Sequence, residues 1–268
     1  MKTTLTLGFS PCPNDTFMFD AMIHGKVNTG ELEFQAVLED VETLNKKAIS
    51  AELDITKLSF FAFSQVTDRY ELLTSGSALG KGVGPLLISK KEFSNPENEI
   101  KSVAIPGKHT TAYFLFRTFY PTLTNVEELV FSDIEQAVID GKVDAGVIIH
   151  ENRFTYEARG LKKIADLGDL WEKKTGLPIP LGGIAIRRSI PFDIKQKVNS
   201  ILKASVEFAF ANPDSSNSYV QAHAQEMDEN VRKKHIQLYV NEFSIDLGVA
   251  GKEAIEKMFQ FTGDSVFV

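Results

Sequence analysis

His150 is the residue whose sequence context best suits it to proton transfer. It directly follows residues 145–149 (Ala-Gly-Val-Ile-Ile), which have the character of a buried strand, so its side chain is expected where that strand ends. An imidazole ionises near neutral pH and can serve there as a general base. His150 is therefore the candidate catalytic base, and a histidine held only by structural hydrogen bonds is the alternative.

Residues 106–112 (Pro-Gly-Lys-His-Thr-Thr-Ala) combine the features of an anion-binding loop. The glycine lets the backbone turn, and Thr110 and Thr111 stand where the first amides of a helix lack partners and the helix dipole favours negative charge. A carboxylate is the expected ligand, and His109 of the same loop could contact it. The alternative is that Thr110 or Thr111 only caps the helix.

The first loop of the chain, residues 10–15 (Ser-Pro-Cys-Pro-Asn-Asp), follows an alternating strand and is stiffened by two prolines. Asn14 and Asp15 are predicted either to hydrogen-bond ligand hydroxyls or to cap the next helix. Cys12 has no histidine near it in sequence to activate its thiol, so it is expected to be a small residue that fills the loop.

Other polar residues could also reach a ligand from the ends of predicted elements. Lys57 and Ser59 end an alternating strand and are predicted to contact a polar ligand, with a solvated lysine as the alternative. Arg153 either holds a carboxylate or faces water. His223 and His235 lie in charged sequence of helical pattern and are expected to be solvated.

Alternating apolar residues predict the strands that position these side chains. The predicted strands are 5–9, 32–38, 53–59, one from residue 70, 83–89, 102–105, one near 129–132, 145–149 and 182–186. Helices are predicted from residue 15 or 16 to the glycine at 25, over 41–50, from residue 60, over 112–119 and 134–140, and throughout the sequence after Pro191. Alternation of strands with helices indicates an α/β fold.

The domain organisation follows from two changes in composition. A polar stretch after Lys90 and a Gly- and Pro-rich stretch over 166–180 are typical of crossings between domains. Residues 1–91 and 178–268 are predicted to form a large discontinuous α/β domain, and 92–177 an inserted smaller one. Two crossings of this kind predict a hinged pair of lobes with a ligand cleft, lined by loops at the carboxyl ends of strands.

Composition narrows the class of partner. The chain has 268 residues, 43% of them hydrophobic, and a formal charge of −7 without a basic tract, which argues against nucleic-acid binding. No apolar run approaches the roughly 18 residues of a membrane span. Cys12 is the one cysteine and no Cys/His cluster has metal-ligand spacing, which favours a reducing cytoplasm and no metal. A small carboxylated molecule is the expected partner of a monomer or homodimer.

Four motifs, taken in order, resemble the 1,4-dihydroxy-6-naphthoate synthases of the futalosine route to menaquinone. They are residues 10–17 (Ser-Pro-Cys-Pro-Asn-Asp-Thr-Phe), 106–112, 146–154 (Gly-Val-Ile-Ile-His-Glu-Asn-Arg-Phe) and 176–183 (Gly-Leu-Pro-Ile-Pro-Leu-Gly-Gly). The likeness spans nearly the whole chain, and the ordered set is far more specific than any single motif.

The resemblance implies a two-lobed fold like that of type II periplasmic binding proteins and a lyase without metal or organic cofactor. Cyclic dehypoxanthine futalosine would lose its sugar-derived part as dihydroxyacetone while its bicyclic ring becomes aromatic. By motif, His150 resembles the catalytic base. The substrate contacts implied are Lys57, Leu58, Ser59, Thr110, Thr111 and Ala112, to which Asn14 and Asp15 are added from their position in the first loop.

Two alternatives stay open at this point. One is chorismate dehydratase, a cofactor-free enzyme of the same pathway and fold, which the motifs at 10–17 and 146–154 disfavour. The other is a non-catalytic protein that binds a small carboxylate. Incubation with chorismate tests the first, and tight ligand binding without turnover would support the second.

Overall fold

The predicted strands form two separate sheets in the computed structural model, which describes residues 2–225, 228–260 and 266–268. Each sheet belongs to one of two compact units. Unit 1 comprises Met1–Gly80 and Pro180–Val268, and unit 2 comprises Lys81–Ile179. Among the described residues, no helix combines the length and the apolar character that a membrane crossing requires.

The strands are β1 (Thr3–Phe9), β2 (Leu32–Leu38), β3 (Ile55–Ser59), β4 (Tyr70–Leu72), β5 (Ala78–Gly80), β6 (Leu86–Ser89), β7 (Val103–Ile105), β8 (Val126–Glu128), β9 (Ala145–Ile148), β10 (Lys162–Asp166) and β11 (Ile179–Arg187). The α-helices are α1 (Pro13–Ile23), α2 (Val41–Ile49), α3 (Phe60–Phe63), α4 (Pro96–Glu99), α5 (Thr111–Phe119), α6 (Ile134–Ile139), α7 (Asn152–Thr155), α8 (Leu167–Thr175), α9 (Phe192–Ala211), α10 (Asn217–His223), α11 (Glu229–Tyr239), α12 (Glu242–Ile245) and α13 (Gly248–Phe259). Short 3-10 helices cover Phe131–Asp133 and Pro213–Ser216.

In unit 1 the strand order is β2-β1-β3-β11-β4, and β5 also pairs with β11. β1 runs parallel to β2 and β3, while β11 is antiparallel to β3 and β4. Helices α1 and α9 pack together, and Ser205 of α9 donates to the Met18 carbonyl at 2.6 Å and accepts from the Met22 amide at 3.1 Å. This buried hydroxyl stands between two consecutive turns of α1 and holds that helix in register with α9.

In unit 2 the strand order is β10-β6-β9-β7-β8. β7 is parallel to β8 and β9, and β6 is antiparallel to β9 and β10. Helix α6 packs on β9 at Gly146, where a Cβ atom would lie 2.5 Å from Cγ2 of Ile134. Because glycine has no side chain, helix and strand approach closely there.

The boundaries of the two units differ from the predicted 1–91, 92–177 and 178–268. Strand β6 lies in the sheet of unit 2, between β9 and β10, so the first crossing falls between Gly80 and Lys81. The polar stretch after Lys90 is instead a surface segment within unit 2. A buried strand such as β6 has the same local pattern in either sheet, so composition alone misplaced the crossing.

Three local predictions require correction. The strand expected near 129–132 is a 3-10 helix, and the strand in this region is β8, a polar sequence at the edge of the sheet. The stretch 166–180, expected to be a returning linker, contains α8 and follows the charged edge strand β10. Edge strands face solvent along one side and commonly carry charged residues, so β8 and β10 lack the alternating pattern of a core strand.

Helix α1 begins at Pro13, with Cys12 as its N-cap, rather than at Asp15 or Thr16.

We predict that Gly84→Ala destabilises unit 2 because the backbone there is in direct contact with another backbone. A Cβ atom on Gly84 would lie 2.3 Å from the Gly168 Cα atom, and no side-chain rotation can relieve that overlap. We expect a loss of about 1–3 kcal/mol in the free energy of unfolding, measured by urea denaturation. The control is Gly160→Ala in the same unit, which meets no atom within 4 Å and has only an unfavourable φ of 76°. An equal or larger loss in the control would contradict the prediction.

Candidate active site

The first loop of unit 1 wraps around the carboxylate of Asp15. This buried carboxylate accepts hydrogen bonds from the Ser10 hydroxyl at 2.7 Å, the Ser10 amide at 3.1 Å and Asn14 Nδ2 at 2.8 Å. It also receives a hydrogen bond from Lys57 Nζ at 3.0 Å. Neither Asn14 nor Asp15 is the N-cap of α1, so capping, the alternative function considered for them, is wrong. Both side chains belong to a buried polar cluster.

Lys57 is buried in β3, so the solvated alternative for this lysine is also wrong. Its ammonium forms an ion pair with Asp15 and lies 3.4 Å from the Gly76 carbonyl oxygen. Opposite it, a Cβ atom on Gly182 of β11 would lie 2.8 Å from the Leu58 carbonyl oxygen and 3.5 Å from Lys57 Cε. The glycine of the fourth sequence motif therefore lets β11 approach the backbone of β3 at Leu58, and the lysine stem lies at ordinary contact distance.

The neighbours of Lys57 in β3 have different environments. Ser59 lies on the same face of the strand as Lys57, whereas the side chain of Leu58 points to the opposite face and is completely buried. Asn45 of α2 accepts from the Ser59 amide at 2.9 Å, and its Nδ2 lies 3.3 Å from the Ser59 hydroxyl. Local sequence offered no signal for Asn45, because its partner is in another element.

Parallel neighbouring strands bring the predicted residues of unit 1 to one sheet edge. β1 and β3 are adjacent and parallel, with Leu7 opposite Ile55 and Gly8 opposite Thr56. The loop with Asn14 and Asp15 leaves the carboxyl end of β1, and Ser59 is the last residue of β3. In open α/β sheets, ligands bind at this edge.

Residues 106–112 of unit 2, the predicted anion loop, lead directly into α5, and the capping alternative holds for Thr110. Thr110 is the N-cap, since its hydroxyl accepts from the Tyr113 amide at 3.1 Å and donates to the Gly107 carbonyl at 2.7 Å. Thr111 and Ala112 are buried in the first turn. Gly107 has a φ of 146°, a conformation that favours glycine. The hydroxyl of Thr110 thus organises the loop, and the dipole at the start of α5 favours an anion.

His150 follows β9 in a left-handed conformation, with a φ of 57°. Its ring packs edge-on against buried Phe131, with 4.9 Å between the ring centroids. β9 is adjacent and parallel to β7, which carries the anion loop at its carboxyl end. His150 and residues 106–112 therefore leave the same edge of the sheet of unit 2. A residue other than glycine in the left-handed conformation costs free energy. Residues held in such strained backbone conformations cluster at functional sites.

The segment after His150 is held within unit 2 by Arg153. This guanidinium donates to the Gly84 carbonyl at 2.6 Å and to Asp166 Oδ2 at 3.2 Å, so it holds a protein carboxylate. Asp166 in turn caps α8 through Oδ1. Burial and a hydrogen bond to Glu157 raise the pKa of Tyr156 to about 12, so this phenol remains neutral and donates to the glutamate.

Two further predictions concern Cys12 and His235. Cys12 is buried in the first loop as the N-cap of α1. His235 was expected to be solvated, and this is wrong: the residue is completely buried and its Nε2 lies 2.9 Å from Asn14 Oδ1. The charged sequence around it belongs to the exposed face of α11, while the histidine lies on the face that packs on α1.

The sequence of the chain matches a known protein family over nearly its whole length. A family model described as menaquinone biosynthesis matches residues 5–264, nearly the whole chain. The chain belongs to this menaquinone biosynthesis family.

Two curated relatives of this family member carry the name 1,4-dihydroxy-6-naphtoate synthase. The protein of Thermus thermophilus is 46% identical over 255 residues, which cover 95% of this chain and 92% of the relative. The protein of Streptomyces coelicolor is 45% identical over 257 residues, covering 94% and 90% of the two chains. The four motifs that suggested the resemblance all lie within residues 5–264, the region that the family model matches.

Solved structures establish the fold class. A crystal structure of an Archaeoglobus fulgidus protein matches with a TM-score of 0.89 and 36% identity, covering 96% of each chain. A Candida albicans protein described as having the generic periplasmic binding protein fold matches with a TM-score of 0.66 and 14% identity, over 98% of this chain and 92% of the other. The menaquinone biosynthesis family member is therefore a mixed α/β protein with a periplasmic-binding-protein-like fold, as predicted.

We predict unequal effects from removing the two partners of the buried ion pair. Asp15→Ala leaves the Lys57 ammonium, among the described residues, with the Gly76 carbonyl at 3.4 Å as its one remaining partner, and we expect a loss of about 3–5 kcal/mol in the free energy of unfolding. Lys57→Met should cost less, because Asp15 keeps its three donors from Ser10 and Asn14. Urea denaturation measures both. The control is Lys2→Met, which breaks an exposed pair with Glu33 and should change stability little. A costlier Lys57→Met would contradict this account.

We also predict that His150→Gly is more stable than His150→Ala by about 1 kcal/mol. The two variants lose the same imidazole and its contact with Phe131, and they differ only in the Cβ atom. At a φ of 57° that atom is unfavourable, so the usual preference for alanine over glycine is reversed. Thermal or urea unfolding of the two proteins side by side tests this, and an alanine variant of equal or greater stability would show that residue 150 is not held in the left-handed conformation.

Proposed function

We propose that this chain is a cofactor-independent carbon-carbon lyase that converts cyclic dehypoxanthine futalosine to 1,4-dihydroxy-6-naphthoate and dihydroxyacetone. The observation that carries the proposal is the 45–46% identity, over nearly the full length, with two relatives named for formation of this naphthoate. Membership of the menaquinone biosynthesis family agrees with it.

The proposed reaction requires a base. His150 takes the proton of a substrate hydroxyl, and the electron pair of that O–H bond forms the carbonyl group of dihydroxyacetone as the adjacent carbon-carbon bond breaks. The electrons of the broken bond pass to the bicyclic fragment, whose oxygen takes back the proton from the His150 imidazolium to become a ring hydroxyl, and aromatisation drives the step. A neutral imidazole is suited to this task at neutral pH.

The other proposed roles are to hold negatively charged and polar groups of the substrate. The first turn of α5, with Thr111 and Ala112, favours a carboxylate through the helix dipole. Lys57 presents a buried ammonium with three N–H groups, of which the described structure pairs one closely with Asp15 and one weakly with Gly76. The third is proposed to contact a substrate oxygen, and Asn14 and Ser59 complete the proposed contacts. Leu58 is withdrawn as a contact, because its side chain is completely buried on the opposite face of β3.

The partner in this proposal is one small carboxylated molecule: the charge and composition of the chain favour a small molecule, and the loop at residues 106–112 favours a carboxylate. The chemistry needs no metal or organic cofactor, since proton transfer and charge stabilisation suffice. We also propose that the reaction takes place in the cytoplasm, in agreement with the single cysteine of the chain.

The decisive experiment is to incubate the purified protein with cyclic dehypoxanthine futalosine and to follow the naphthoate and dihydroxyacetone by mass spectrometry. Equal amounts of both products are expected. A parallel incubation with chorismate separates the proposal from a chorismate dehydratase. Turnover of chorismate alone, or binding of the futalosine derivative without turnover, would refute the lyase assignment.

We predict that removal of the His150 imidazole lowers kcat by roughly 10²–10⁴-fold, the usual contribution of general-base catalysis. His150→Gly is the preferred variant because it relieves the left-handed backbone while deleting the base. Added imidazole should restore part of its turnover by occupying the vacated space. The control is His223→Ala, since His223 ends α10 and packs on Tyr219 of the same helix. Near-normal turnover in His150→Gly, with circular dichroism like that of the parent, would refute the role of this base.

A further inference from the structure

A chain of buried side chains connects α11 to the ion pair of the proposed site. His235 Nε2 lies 2.9 Å from Asn14 Oδ1, Asn14 Nδ2 lies 2.8 Å from Asp15 Oδ1, and the same carboxylate oxygen lies 3.0 Å from Lys57 Nζ. All four residues are buried. His235 is 221 positions away from Asn14 in sequence, so this contact exists only in the folded protein.

The direction of each hydrogen bond follows from the chemistry of the groups. An ionised carboxylate can only accept, so the group of Asn14 that faces Asp15 must be the amide nitrogen. Its oxygen then faces His235 and can only accept, so the hydrogen in that contact must be on Nε2 of the histidine. The assignment is self-consistent from the imidazole to the ammonium: His235 donates to Asn14, and Asn14 and Lys57 both donate to Asp15.

The hydrogen on His235 Nε2 and the Asp15 carboxylate favour the same one of the two orientations of the Asn14 amide. If the amide were reversed, its oxygen would lie against Asp15 Oδ1, and two acceptors would oppose each other in a buried place. Asp15 is fixed on its other oxygen by Ser10, so the amide of Asn14 and the ammonium of Lys57 together decide how Oδ1 is held. Without the His235 N–H group, Asn14 would hold Asp15 Oδ1 less firmly, and this is the oxygen that accepts the hydrogen bond from Lys57.

We propose that His235 is a positioning residue, which holds Lys57 in place for the substrate by way of Asn14 and Asp15. This inference rests on the proposed function, in which Lys57 contacts the substrate. His235 touches neither substrate nor reacting atoms in this account. Its loss should therefore weaken substrate binding and leave the proton transfer at His150 largely unchanged, so that KM rises while kcat changes little.

Two variants distinguish the effect of the His235 hydrogen-bond donor from the effect of the size of its side chain. His235→Phe keeps an aromatic ring beside Tyr239, whose centroid is 4.7 Å from that of His235, but has no N–H group. We expect KM to rise about tenfold, the effect of one net hydrogen bond. His235→Gln can place an amide N–H where Nε2 stood and should recover most of that loss. A role in packing alone predicts the reverse order, with phenylalanine the better substitute.

A double-variant cycle tests whether His235 acts through Asn14. In an Asn14→Leu background no amide remains to be oriented, so adding His235→Phe should change KM no further. Multiplied effects of the two substitutions would overturn the inference. Circular dichroism and thermal unfolding identify any variant that fails to fold.

The tautomer of His235 is measurable in the parent protein without any variant. Nitrogen-15 NMR of histidine-labelled protein is expected to show a ring with its hydrogen on Nε2, and a neutral ring protonated on Nδ1 would overturn the proposal. A parent enzyme that forms no naphthoate refutes the proposed function and this inference with it, whereas normal turnover with an unchanged KM in His235→Phe refutes the inference alone.

Discussion

The buried ion pair between Asp15 and Lys57 is the constraint on which the candidate site of unit 1 depends. An ammonium inside a protein is tolerated only when an opposite charge and hydrogen bonds compensate for lost hydration. The first loop supplies that compensation, and its two prolines lack N–H groups, so the donors to the carboxylate come from Ser10, Asn14 and the lysine itself. Gly182 of β11 permits the close approach to the Leu58 carbonyl oxygen of β3, next to the lysine.

Unit 2 meets a different requirement, which is to present an imidazole and a helix start at one sheet edge. Adjacent parallel strands bring the two loops together, and unusual backbone conformations then aim them. Gly107 has a φ of 146° at no steric cost, whereas His150 has a φ of 57° and bears the cost of its side chain. Strain of this kind persists only where the surrounding structure determines the conformation, as buried Phe131 and the ties of Arg153 do here.

The fold itself carries little information about the reaction. Proteins at 11–15% identity share it, including an alkanesulfonate-binding protein of Xanthomonas axonopodis that matches with a TM-score of 0.68. The residues on which the proposed function rests lie at the carboxyl ends of β1, β3, β7 and β9. A function grafted onto a common scaffold must be argued from such residues, because the scaffold is compatible with binding and with catalysis alike.

The local sequence pattern was sufficient to predict those strands and loops that the pattern itself determines. Alternating apolar residues predicted β2, β3 and β9 to within two residues at each end, and the same patterns placed the first loop, the anion loop and His150 directly after strands. The motifs in those loops were also enough to indicate the menaquinone biosynthesis family.

Tertiary structure alone decided which elements share a sheet and which distant side chains meet. The edge strands β8 and β10 escaped prediction because strands that face solvent need no apolar alternation, and β6 could have joined either sheet on its pattern. His235 was misjudged for a related reason, since its neighbours in sequence face solvent while the histidine faces α1. Periodicity reports which residues are apolar, but buried polar His235 is stabilised by Asn14, which lies 221 positions away, and only the folded chain brings the two together.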